Sequence, residues 1–260
     1  LRSPSWVRRL RILPRLSSTS MENCFRYAGA DCGELSMVFS FHHLKVDFMG
    51  NDKWVLVPTD FGKLKDILFS WQEGMAAHNA WNAVFWCNHD QPRVVSRFGD
   101  EGAYWKESAK MLANIVHAMR GTPYVYQGEE LGMTNANFTS LDQYRDVESL
   151  NHFQILRDKG MSEESVYNIL KVHSRDNSRT PMQWDATAQG GFTTGEPWIS
   201  VNPNTATITR WRTKTPSSPT IRPSSACATS TTCSLRGTSP PSPRATPPCW
   251  PISASTRARS

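Results

Sequence analysis

Residues 83–87, AVFWC, run directly into Asn88, His89, Asp90 and Gln91 and then Pro92, and no other stretch restricts the fold as much. An apolar run rich in Val, Phe and Trp, without polar alternation, suits a strand covered on both faces, as parallel strands in α/β proteins are. The break into a polar turn places an imidazole and a carboxylate at the carboxyl end of that strand, where α/β architectures bind ligands and do chemistry. Taken alone, the His89 and Asp90 pair fits two readings. It is either a locally satisfied turn, since Asp and Asn are favoured there, or a site.

The flanking sequence repeats the pattern of strand followed by helix. Residues 35–41, LSMVFSF, read as a strand with His42, His43, Leu44 and Lys45 at its carboxyl end. Residues 60–73 put Phe61, Leu64, Ile67, Leu68 and Trp71 on one helical face behind Asp60 as cap. After the central strand, residues 103–119 predict a helix with Met111, Leu112, Ile115, Val116 and Met119 as its core stripe, stopped by Gly121 and Pro123. A third strand follows at 123–126, and Ser17 to Ser20 offer hydroxyl caps for a short helix reaching Ala28. From Met133 to Asn204 the alternation gives way to a long loop with one helix at 163–172. Alternating strands and helices predict an α/β fold with a parallel sheet.

Charge divides the chain in three. Residues 1–16 hold five Arg and no acid, and residues 205–260 hold eight Lys or Arg and no acid. The middle is left with sixteen basic residues against twenty-three acidic, so the overall +6 belongs to the ends. The chain is therefore divided into a basic leader (1–16), a domain (17–204) and a tail (205–260). The tail is dominated by Ser, Thr, Pro, Ala and Arg, and its composition predicts disorder from Thr213 onward. Its charges are too thinly spread among prolines to make nucleic acid the favoured partner. The abrupt loss of acids at both junctions leads to the further expectation that the ends are read in another frame. Cys24, Cys32 and Cys87 show no CxxC spacing, which predicts reduced thiols in a cytoplasmic protein, and no apolar run is long enough to span a membrane.

Several strings carry a resemblance: SSTS, FHHLKVD, FWCNHDQPR, GTPYVYQGEELGM, YRDVESLN, SRDNSRTPMQWD and GFTTGEPW. From Ser17 to Asn204 the chain resembles the alpha-glucosidase and trehalose-6-phosphate hydrolase branch of the alpha-amylase superfamily of glycoside hydrolases. The resemblance implies a partial (β/α)8 TIM barrel, roughly strands 5 or 6 to 8, without the first half of the barrel. It implies that Asp90 stabilises the transition state and that His89 and Arg179 hold the glucosyl ring. The alternative for Arg179 is an Arg that bridges loop carboxylates. Lys45, with His43 as a weaker second, is expected to contact a phosphate; the alternative for Lys45 is a solvated charge at a strand end.

The implied substrate is a small phosphorylated disaccharide, trehalose 6-phosphate, cleaved with retention to glucose and glucose 6-phosphate without a cofactor or metal. Retaining glycosidases need two carboxyl groups about 5 Å apart. The resemblance puts the nucleophile before this sequence begins and the acid at the position of Arg15, which cannot donate a proton at neutral pH. The chain alone is expected to be inactive, with a complementing N-terminal half as an unknown partner. Glu129 and Glu130 are expected to be structural. Two competing readings are an oligo-1,6-glucosidase or other alpha-glucosidase, and a non-catalytic carbohydrate-binding or basic-tail interaction protein.

Overall fold

The computed structural model describes residues 12–13, 20–30 and 34–214. Four parallel strands, β1 (Ile12–Leu13), β2 (Met37–Phe39), β3 (Asn82–Phe85) and β4 (Thr122–Tyr124), lie side by side in the order β1-β2-β3-β4. Met37 pairs with Ile12, Val38 with Asn82, and Val84 with Pro123. Helix α1 (Met21–Ala28) joins β1 to β2, and α2 (Phe61–Ala77) joins β2 to β3. The crossover from β3 to β4 holds a short α3 (Val94–Phe98) and α4 (Trp105–Ala118). A parallel sheet whose neighbours follow in chain order winds in one direction only, as a (β/α)8 barrel does, without the reversal of a doubly wound sheet. Among the described residues the sheet is an arc of such a barrel.

Local chemistry explains the helix starts. Ser20 caps α1 by accepting from the Asn23 amide at 3.4 Å, and Asp60 caps α2 by accepting from the Lys63 amide at 2.9 Å. Leu64 and Trp71 of α2 are buried as its spacing predicts, but Phe61, at the first turn, is exposed. In α4 the stripe is rotated. Leu112 and Val116 are buried, while Met111 and Ile115 are exposed; Trp105, Ala109 and Ala113 take the core face in their place. Ala109 lies against Gly132, and Trp86, just past β3, donates its indole N–H to the Leu112 carbonyl at 2.8 Å.

Past β4, α5 (Val147–Asp158) and α6 (Glu163–His173) pack together through Leu156, Val166, Ile169 and Leu170. The sequence predicts α6 but not α5, whose exposed Val147 and Ile155 blur any apolar stripe. Two elements fall in the stretches set apart by charge. β1 lies within the expected leader, and α7 (Thr205–Lys214) opens the expected tail as a helix, with Ile208 in the main core cluster. Of the stretch whose composition predicts disorder only Thr213 and Lys214 fall in this helix, and Ile208 and Thr209 are buried. Arg15 and residues 215–260 lie outside the described residues.

Candidate functional site

The turn after β3 is fixed by its own side chains. Asn88 Oδ1 accepts from the Asp90 amide at 2.8 Å, and the Cys87 thiol donates to the Pro92 carbonyl at 3.2 Å. Burial pushes that thiol up to about 12, so Cys87 stays a protonated donor. Asp90 emerges with its side chain 28% exposed, and His89 is largely exposed with Nε2 at 3.5 Å from Asp90 Oδ2.

Opposite the turn, the segment Arg175–Ser178 forms a single 3₁₀ turn ending at Arg179. Arg179 donates from Nε to the His89 carbonyl at 2.8 Å and from Nη2 to Asp90 Oδ1 at 3.1 Å, while Nη1 lies 3.5 Å from Asp146 and 3.8 Å from Asp176. The bridging alternative raised for Arg179 is thus realised in geometry, and a guanidinium with five N–H groups still leaves donors over. Arg175 is the second arm. It reaches Asp90 Oδ1 at 3.4 Å, Asp146 Oδ1 at 2.7 Å and Glu148 Oε2 at 3.0 Å, and Glu148 in turn accepts from Lys53 Nζ at 2.8 Å.

Asp146 anchors this network while capping α5 through the Ser149 amide and hydroxyl. Burial pushes its carboxyl up, but hydrogen bonds from Arg175 and Ser149 outweigh that and hold it below the usual carboxylate range. Arg175, Asp146 and Glu148 join the candidate site without being singled out by the sequence. The spacing of Arg175 and Arg179 within SRDNSR, with YRDVE upstream, is the signal that could have found them.

Asp90, His89 and Asn88 form the polar end of an open cleft of about 730 Å³ whose apolar wall includes Phe39, Phe41, Phe85 and Tyr124. The aromatic rings lie edge-on to one another, with Phe39 at 4.8 Å from Tyr124 and 5.4 Å from Phe85. Its volume is in the range of small-molecule sites. Asp90 is the one carboxylate among the described residues that line it.

His43 does not belong there. It is buried behind β3, edge-on to Phe85 and Trp86, and it lines a small cavity between the sheet and α2. Burial, with the Arg97 charge nearby, pushes its imidazole down to about 3, which favours the neutral ring. Its side chain thus lines this layer and not the cleft. Lys45 ends the 3₁₀ turn His42–Lys45 on the loop after β2, half-buried.

Glu129 and Glu130 sit in the turn after β4. Burial pushes the Glu129 carboxyl up to about 8, which would suit a general acid, but Glu129 lines a small cavity against α4 and not the cleft. Glu130 accepts from the Gly128 amide at 2.7 Å. Gly128 itself has φ +92°, and a Cβ there would lie 2.5 Å from Arg93 Nη1 and 2.6 Å from Met133 Sδ. Gly128→Ala is expected to cost about 2–3 kcal/mol from backbone strain and displacement of Arg93. Comparing chemical denaturation of the two chains checks this, and an unchanged midpoint would contradict it. Among the described residues no three His, Cys, Asp or Glu side chains are grouped to hold a metal, and no helix is long and apolar enough to cross a membrane.

Trehalose-6-phosphate hydrolase of Bacillus subtilis (strain 168) is 62% identical over 189 residues, which cover 73% of this chain and 34% of the relative. Oligo-1,6-glucosidase of Bacillus cereus is 50% identical over 190 residues, 73% of this chain and 34% of the relative. The crystal structure of Bacillus licheniformis trehalose-6-phosphate hydrolase superposes with a TM-score of 0.71 at 56% identity, covering 73% of this chain and 34% of that one. The chain thus spans about a third of the length of these relatives. A family profile described as alpha amylase, catalytic domain, matches residues 7–219, and the chain belongs to that family.

Proposed function

We propose that this chain forms the sugar-holding half of a retaining glycosidase that takes trehalose 6-phosphate, yielding glucose and glucose 6-phosphate in the cytoplasm. Asp90 is the transition-state stabiliser. As the glycosidic bond breaks, positive charge develops on the ring, and a fixed carboxylate beside it is worth more there than in the ground state. Arg179 and Arg175 hold that carboxylate in one orientation, and His89 and the remaining Arg179 donors meet the glucosyl hydroxyls. Lys45 is the phosphate contact, a point charge suited to a dianion, in the turn that follows a barrel strand.

The observation that carries this reading is the two-arginine clamp on Asp90 at the mouth of the cleft. The margin between the 62% and 50% identities supports the phosphorylated substrate over an unphosphorylated one. Free, buried Cys24 and Cys87 are compatible with a reducing compartment.

Because retention needs a pair of carboxyl groups across the bond and the described cleft offers Asp90 alone, the 260-residue chain by itself should release no glucose 6-phosphate from trehalose 6-phosphate. A chimera in which residues 20–209 replace the matching segment of the Bacillus subtilis relative should release it. A coupled assay for glucose 6-phosphate reads both. Activity of the chain alone that disappears in Asp90→Asn would overturn the division of labour.

A further inference from the structure

Helix α3 is only five residues long, yet it presents a buried arginine that joins the loops after two neighbouring strands. Arg97 has a side chain 3% exposed, and it meets Asp47 with two parallel bonds, Nε to Oδ2 at 2.8 Å and Nη2 to Oδ1 at 2.6 Å. Nη2 also donates to the Leu44 carbonyl at 2.5 Å, inside the turn that ends at Lys45. On its other side, Nη1 donates to Gln91 Oε1 at 2.8 Å, and Gln91 directly follows Asp90. One rigid guanidinium therefore holds the Lys45 turn, through Leu44 and Asp47, at a set distance from the Asp90 turn, through Gln91.

A planar fork with four bonds in fixed directions is a stiffer spacer than a lysine or a water-filled gap. Asp47 is as buried as its partner, so the pair is little screened and does not exchange with solvent. We propose that Arg97 is a positioning residue that sets the spacing between the phosphate end and the glucosyl end of the site, and thereby the preference for a phosphorylated over a plain disaccharide. This rests on the reading of Lys45 and Asp90 given above.

The test uses the full 260-residue chain, whose expected lack of turnover keeps the ligand intact. Trehalose 6-phosphate and trehalose are titrated separately while the amide signals of residues 42–47 and 88–91 are followed by NMR. In the unaltered chain trehalose 6-phosphate should shift both segments together and bind about tenfold or more tightly than trehalose. Gln91→Leu leaves the buried ion pair whole and breaks only the link to the Asp90 turn. It should bring the two dissociation constants to within about threefold of each other, mainly by weakening trehalose 6-phosphate.

Arg97→Lys should do the same if it folds, and Gln91→Leu stands as the test if it does not. A merely structural role would weaken both ligands alike and leave their ratio unchanged, which would overturn the proposal. Failure of trehalose 6-phosphate to outbind trehalose in the unaltered chain would instead overturn the Lys45 reading, and the spacer role with it.

Discussion

Asp90→Asn in the chimera with the Bacillus subtilis relative is expected to lower kcat for trehalose 6-phosphate by about 10²- to 10³-fold, with a much smaller change in KM. The reason is that Asn keeps the shape and the hydrogen-bonding oxygen of Asp90 but removes the charge, and the charge matters most when the ring becomes cationic. Loss of fold would be a competing explanation, and the geometry argues against it. Arg175 keeps Asp146 and Glu148, and Arg179 keeps the His89 carbonyl and Asp146, so neither guanidinium is stranded. The Asp90 pairs are partly exposed, where such contacts contribute about 1 kcal/mol or less. Steady-state kinetics together with a melting curve separates the two causes. A fall in kcat matched by a large fall in melting temperature would speak for a structural role.

The largest expected stability effect is acid sensitivity from two buried histidines. Burial pushes His43 down to about 3 and His173 down to about 4, against an unfolded value near 6.5. Both are neutral in the fold. As pH falls below about 6.5 the unfolded chain takes up protons that the folded chain refuses, so stability rises with pH across this window and is lost on acidification. The loss begins near 6.5 and levels off only at the folded values, and by pH 4 it amounts to about 6 kcal/mol for the two together.

Asp146 acts in a separate, lower window. Its folded value is depressed, so its contribution is present above the ordinary carboxylate range and disappears only as pH falls through that lower value. Urea midpoints of the chain between pH 7 and pH 4 should fall steeply, and His43→Gln should flatten the slope. A midpoint constant from pH 6.5 to 4.5 would contradict the neutral burial of these rings.

Much of the frame is legible in the sequence because it follows from short-range rules. Ser20 and Asp60 announce helix starts by residue type, and the unbroken AVFWC run marks a strand packed on both faces, as β3 is. The rotation of α4 is not legible, since Met111 and Ile115 are as apolar as the residues that pack, and the burial of Ala109 and Ala113 depends on what the helix docks against. Of the candidate site, the sequence points to some members and not to others. His89 and Asp90 stand at a strand end and are found by position, and Arg179 by its string. Arg175, Asp146 and Glu148 belong to segments without periodicity, and their meeting depends on how α5 and the 3₁₀ turn at Arg175 dock. His43 and Lys45 follow a strand in the sequence, but the chain there forms a 3₁₀ turn, so the side on which each side chain lies is not read from strand alternation.

The measurement that bears most directly on the account is the ratio of kcat/KM for trehalose 6-phosphate to that for isomaltose in the chimera carrying residues 20–209 of this chain. The proposed function predicts a preference for the phosphorylated sugar of about 10²-fold or more, reduced at least tenfold by Lys45→Ala. Equal use of the two sugars, or a preference for isomaltose untouched by Lys45→Ala, would contradict it and assign the chain to the oligo-1,6-glucosidase side of the family.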